Sequence, residues 1–321
     1  MRIARWLPGY APPPMIVLVV AEESAGAQTL RLVAQRGHDV VGVLTAPDRG
    51  NGSVAAVADE LGLPVLDPAR VREPAFARWI ADHRVDLLVN VHSLQIVHED
   101  VIAAPRIGSF NLHPGPLPRY AGLNAPSWAV YEGESRHAVT LHWMAGKVDA
   151  GAIAYEAWFD IAPADTGLRV ATNCVRHGVP LVGRLLDDAV RGVDHVPATP
   201  QDLRGRRWFG RGAPHGGRLP WDIPARRVVD LVRAATYAPF PSPWGWPTTS
   251  LCGRDVEVTR VRPTGEVADA PPGAVGHARQ GGVLVAAADE WVLVERLRVG
   301  GEPAEPAEVL TAGVQLVSHH L

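Results

Sequence analysis

At 321 residues, with 47% hydrophobic and 20% charged side chains, the chain is long enough for two domains and has the composition of a globular protein. Its formal charge of −3 excludes nucleic-acid binding driven by bulk electrostatics and leaves only a local basic patch as a route to it. Two cysteines, Cys174 and Cys252, build no disulfide framework, and the thirteen histidines fall in no His-x-x-x-His or Cys-x-x-Cys spacing that marks a metal.

Residues 1–14 read as a Pro-rich leader, either a disordered tail or a start placed too early ahead of Met15, and its apolar stretch before Pro8 is too short for a signal sequence. No run reaches transmembrane length, so no membrane contact and a cytoplasmic location are expected. Met15 to Ala21 is a continuous Val-rich run, the pattern of a strand buried on both faces. Ser24 is placed to cap a helix to Arg36, which Gly37 ends. Val40–Leu44 repeats the strand pattern and Ser53–Leu61 the helix, followed by a short strand at 63–66, a helix at 74–83 and the strand Val85–Val91. This alternation implies a doubly wound, mostly parallel sheet, whose ligands sit beyond the carboxyl ends of its strands. Gly50-Asn51-Gly52 lacks the further glycine and lysine of a phosphate loop and reads as a turn.

The apolar run Ile107–Phe110 ends on Asn111 and His113, two residues apart and so on one face of an extended chain. Pro114, Gly115, Pro116 and Pro118 follow, which makes the exit a stiff loop rather than a helix. Asp149 lies in the turn 146–151, between the strand-like runs Ala138–Met144 and Ala152–Phe159. An amide, an imidazole and a carboxylate suit transfer of an acyl group onto an amine: the amide holds the oxyanion, the imidazole moves protons, and the carboxylate sets its charge. With no Ser or Cys nucleophile in the stretch, a covalent acyl-enzyme is not expected.

A helix is expected from Asp165 or Thr166 to Arg191, and then an aperiodic Gly-, Pro- and Arg-rich linker at 193–224. Its Arg204-Gly205-Arg206-Arg207 run reads as solvated. Pro224–Thr236 has helical spacing, and short strands at 256–261, 275–277, 283–287 and 291–298 suit a small β-barrel. Trp208, Trp221, Trp244 and Trp246 cluster around the linker, with core packing the default for each. The domain division is thus a leader 1–14, an α/β domain 15–192, a linker 193–224 and a C-terminal β-barrel domain 225–321.

The run from Asn111 through Leu117-Pro118, Tyr120 and Gly122, with Val148-Asp149-Ala150-Gly151 after it, resembles the formyltransferases that use 10-formyltetrahydrofolate. The resemblance implies a Rossmann-like formyltransferase domain with Asn111, His113 and Asp149 as catalytic residues and protonated His113 held charged by Asp149. It implies folate contacts from Leu94, Gln95 and Ile96 in the loop 93–97, with Gly146 and Val148 on the opposite lip. No metal is implied. Asp222, Pro239–Trp244 and Pro271–Val275 resemble the C-terminal domain of methionyl-tRNA and sugar formyltransferases. Gly115-Pro116 stands where many members have Ser-Leu. With Leu123–Trp128 it resembles the natural-product branch associated with peptide synthetases. The implied function is formyl transfer to a primary amine of a small-molecule or carrier-bound acceptor in natural-product biosynthesis. Methionyl-tRNA formylation and 10-formyltetrahydrofolate hydrolysis are the alternatives.

Overall fold

A computed structural model describes residues 14–317. All but the last residue of the expected leader, and the terminal pair His319-His320, lie outside the described residues. In chain order the elements are β1 (Ile16–Ala21), α1 (Glu23–Gln35), β2 (Asp39–Leu44), α2 (Val54–Glu60), β3 (Val65–Leu66), α3 (Phe76–Asp82), β4 (Leu87–Val91), α4 (Glu99–Ala103) and β5 (Gly108–His113). There follow β6 (Ala121–Gly122), α5 (Ala125–Tyr131), β7 (Arg136–Trp143), β8 (Ile153–Asp160), α6 (Gly167–Arg191), β9 (Trp208–Phe209) and α7 (Ala225–Ala234). The chain closes with β10 (Thr248–Leu251), β11 (Arg254–Val267), β12 (Val275–Arg279), β13 (Gly282–Ala286), β14 (Glu290–Val299), β15 (Glu302–Ala304) and α8 (Pro306–Val309).

Internal contacts divide the chain into two units interleaved in sequence. One takes the chain up to Ala121 with Ala138–Trp158 and Cys174–Arg207; the other takes Gly122–His137, Phe159–Asn173 and the chain from Trp208 on.

The seven-stranded sheet has the order β3-β2-β1-β4-β5-β7-β8, parallel through β5 and antiparallel at β5–β7. Side chains of β1 alternate between two cores, Val17, Val19 and Ala21 in one and Leu18 and Val20 in the other. That is why the run is apolar at every position: both faces of the strand are covered. The chain leaves β1 leftward to β2 and β3, then returns to β4 on the other side. The switch point of the sheet therefore lies between β1 and β4, at their carboxyl ends. Ser24 does not cap α1; Glu22 holds that position, and its carboxylate instead accepts from Thr45 Oγ1 and Ala46 N beyond β2. Ser53 caps α2 as expected, accepting from Ala56 N at 3.2 Å.

In the second unit an antiparallel sheet runs β10-β11-β14-β13-β12, with β15 on β14. Val317 pairs with Ser250 of β10 and Gln315 with Ala274 just before β12, so the segment 315–317 reaches both outer strands of this sheet. Trp221 is fully buried and donates to Thr249 Oγ1 at 3.0 Å, whereas Trp208 is exposed. No helix among the described residues is long and apolar enough to cross a membrane.

Candidate active site

Strand pairing places Asn90 of β4 beside Asn111 of β5, and Asn111 beside His142 of β7. The three polar side chains form one row across three neighbouring strands. A buried polar group left unsatisfied costs about 1–3 kcal/mol, so such a row must pair within itself. Asn90 Nδ2 donates to Asn111 Oδ1 at 2.9 Å, which turns the Asn111 Nδ2 toward His142 Nε2 at 3.1 Å and Asp149 Oδ1 at 3.4 Å. His142 Nδ1 donates to the Trp143 carbonyl at 2.8 Å, which leaves its Nε2 as the acceptor for Asn111. Asn90 Oδ1 is buried with no partner.

His113 shares the face of Asn111, and its Nε2 donates to the Tyr120 carbonyl at 2.6 Å. The loop carrying that carbonyl is fixed by its own bonds. Tyr120 N donates to Pro116 O at 3.0 Å, and Thr140 Oγ1 donates to Gly115 O at 2.8 Å. Asp149 arrives from the turn after β7 in the left-handed region, φ 54°, where a non-glycine residue is uncommon. Its Oδ1 stands 3.6 Å from His113 Nδ1 and 3.5 Å from His142 Nε2. One carboxylate oxygen thus faces both imidazoles and the Asn111 amide. His113 is 3% exposed and Asp149 6%.

Burial pushes the His113 imidazole below its ordinary value, against the raising pull of the Asp149 charge and the Tyr120 carbonyl; His142 and His92 lower it further. Desolvation thus opposes the expectation that Asp149 keeps His113 protonated. The bond to the Tyr120 carbonyl puts a ring proton on Nε2 and turns Nδ1 toward Asp149 Oδ1 at 3.6 Å. A ring whose proton affinity is lowered by burial and raised by Asp149 can take up a proton and give it away again, which suits a group that shuttles one.

The structure places Leu94, Gln95 and Ile96 in the loop that leaves β4, and Gly146 and Val148 in the turn with Asp149. Leu94, Ile96 and Val148 show aliphatic side chains to solvent, at 59%, 70% and 42% exposure. Gly146 lies close to Glu99, whose Oε2 would be 3.8 Å from an added Cβ, so the turn approaches the start of α4, just after that loop. Gln95 is half-buried with an unpaired Oε1.

Sequence reasoning assigned none of Asn90, His142, Gln201 and Arg206 to the site. The signal for Asn90 is a single polar residue in the apolar strand Leu87–Val91. The run 204–207, expected to be solvated, is partly engaged: Arg206 Nη2 donates to Val148 O at 2.9 Å, while Arg204 pairs with Asp202 at the surface.

The chain matches the family model described as Formyl transferase over residues 14–178, and the one described as Formyl transferase, C-terminal domain over 213–315. The methionyl-tRNA formyltransferase of Sorangium cellulosum (strain So ce56) is 32% identical over 285 residues, 86% of this chain and 89% of that one. Among solved structures, WlaRD, a sugar 3N-formyl transferase studied with dTDP and 5-N-formyl-THF, matches with TM-score 0.67 at 13% identity, over 88% of this chain and 97% of that one. HypX from Aquifex aeolicus matches with TM-score 0.63 at 21% identity, over 92% of this chain and 47% of that one. The chain thus spans about half the length of HypX, and at such identities the likeness is one of fold.

Proposed function

Because the chain belongs to the formyl transferase family, we propose that it moves the formyl group of 10-formyltetrahydrofolate onto a primary amine of a small-molecule or carrier-bound acceptor. The observation that carries the reading is the convergence of the Asn111 amide and the His113 imidazole, with His142 beside them, on one oxygen of the buried Asp149. The neutral amine attacks the formyl carbon and a C–N bond forms. Asn111 Nδ2 donates to the oxyanion of the tetrahedral intermediate. His113 Nδ1 takes the proton of the attacking amine, Asp149 stabilises the resulting imidazolium, and the proton passes to N10 of the folate as the C–N10 bond breaks. Leu94, Gln95, Ile96, Gly146 and Val148 form the folate lips in this reading. Aliphatic side chains open to solvent on this loop and this turn suit a flat heterocycle. The proton inventory closes without a metal.

Charge supports the small or carrier-bound acceptor. From residue 208 to 317 there are eleven arginines against twelve acidic residues. Many of those arginines are paired, Arg218 with Asp255, Arg260 and Arg262 with Glu295, Arg279 with Glu266 and Arg233 with Asp230. Phosphate backbones need an uncompensated basic surface. The methionyl-tRNA formyltransferase relative favours tRNA as the second reading. A place in natural-product biosynthesis and in the cytoplasm is part of the proposal; two thiols outside any disulfide, Cys174 and Cys252, suit a reducing compartment.

The purified protein is expected to consume 10-formyltetrahydrofolate only when an amine is supplied from a panel of nucleotide-linked amino sugars, carrier-bound aminoacyl groups and methionyl-tRNA. Consumption at the same rate without any amine makes the protein a hydrolase, and turnover of methionyl-tRNA alone makes it the tRNA enzyme.

The boundary between the two functional halves is proposed to fall within 193–224. Trypsin is expected to cut first after Arg211, in the exposed bend at 210–212, and to leave two folded pieces. First cuts inside 15–192 overturn that division.

A further inference from the structure

The segment that follows α6 is fastened along its length to the turn that carries Asp149 and to the loop whose Tyr120 carbonyl holds His113. Trp143 Nε1 donates to Pro197 O at 2.8 Å, and Thr199 exchanges backbone bonds with Ile153 at 2.8 and 2.9 Å. Further along, Arg207 N donates to Pro118 O at 3.3 Å and Ala121 N donates to Arg207 O at 3.1 Å, on either side of the Tyr120 carbonyl that holds His113. Between these points lie Gln201 and Arg206. Gln201 Nε2 donates to the carbonyls of Asp149, at 3.1 Å, and Gly151, at 2.7 Å, and Arg206 Nη2 donates to that of Val148 at 2.9 Å.

Three carbonyls of one short turn are thus taken by side chains from a distant stretch. The turn needs them. Asp149 sits at φ 54°, a conformation that a residue with a Cβ keeps only when its surroundings over-determine it. Gly151 has no room for a Cβ against the Trp143 carbonyl, so the turn cannot relax on that side. The orientation of the Gln201 amide is settled by chemistry, since its oxygen in place of its nitrogen would face two carbonyls. Its Oε1 is buried with no partner, a cost that an apolar side chain of the same length would avoid. What the glutamine supplies is its pair of N–H donors.

We propose that Gln201 is a positioning residue: it holds the turn so that the Asp149 carboxylate faces His113 Nδ1, with Arg206 completing the clamp at Val148. The inference rests on the reading of Asn111, His113 and Asp149 as the reacting trio. It gives a function to a stretch whose composition is that of a linker.

Gln201→Met keeps the length of the side chain and removes both donors. The titratable groups that act on His113 are Asp149, His142 and His92, and of these only Asp149 raises its proton affinity; the Tyr120 carbonyl raises it too and is left in place. In Gln201→Met, ¹⁵N NMR of the His113 ring is expected to show its titration, already depressed, moved further down, to where Asp149→Asn alone puts it. The double variant is expected to move it no further. If the ring stays neutral throughout, the Nδ1 shift at pH 7 reads the same contact. Amine-dependent consumption of 10-formyltetrahydrofolate is expected to fall about 10–100-fold in kcat with KM for the folate within about twofold, the effect of a reacting group displaced by roughly 1 Å. Gln201→Lys restores a donor long enough for both carbonyls and is expected to recover most of the NMR signature; it also serves if the Met variant fails to fold. A His113 ring unmoved by Gln201→Met but moved by Asp149→Asn overturns the clamp. A ring moved by neither overturns the pairing of His113 with Asp149, and the proposal with it.

Discussion

Asn111→Ala is expected to lower kcat by about 10²–10³ while the KM for 10-formyltetrahydrofolate stays within about twofold. The reason lies in how the amide is held. Its oxygen is occupied by Asn90 Nδ2, so its nitrogen is turned toward the place where Asp149 and His142 converge. Of its two N–H groups, the one on Asp149 is the longer bond, at 3.4 Å, and is the one that turns to the oxyanion as it forms, so the amide contributes little to binding the planar formyl group. The alanine also strands Asn90 Nδ2 in the sheet, with a stability loss of about 1–3 kcal/mol. Single-turnover rates at saturating folate, well below the melting temperature, separate the two effects. Weakened folate binding with an unchanged single-turnover rate rules out the oxyanion role.

The difference between what sequence and structure make legible follows the range of each interaction. The parallel sheet is written locally: an apolar run such as Ile16–Ala21 has one explanation, and both its faces are indeed covered. Asn111 and His113 were legible together because they share a face by spacing alone, while Asp149 was joined to them by its turn between two strand-like runs and by the motif's resemblance. The row Asn90–Asn111–His142 was not, because it depends on strand register, which periodicity does not specify. The protonation of His113 depends on burial as well as on Asp149, and a motif shows the carboxylate without showing the missing water. Gln201 and Arg206 act through single bonds to backbone carbonyls, and such bonds leave no periodic trace in a Gly- and Arg-rich stretch. Helix α5 escaped for a local reason: Asn124 before it adopts φ 58° and supplies no side-chain cap.

Asp149→Asn carries the other large effect, and its sign follows from the competition around His113. Burial favours the neutral ring and the Asp149 charge favours the protonated one. Removing the charge leaves burial with less opposition, so the His113 pKa falls further. In the proposed reaction the neutral ring is the active form, and it loses activity as pH drops through its pKa. The acid limb of kcat/KM is therefore expected to move to lower pH in Asp149→Asn, and the plateau to fall because a weaker base takes the amine's proton less readily. His113→Ala removes the proton carrier and is expected to cost about 10²–10⁴ in kcat. Asp149 acts through His113, so the double variant is expected to lose little more than His113→Ala alone. An acid limb that moves upward, or losses that multiply in the double variant, would show that Asp149 works on the substrates directly rather than through the imidazole 3.6 Å away.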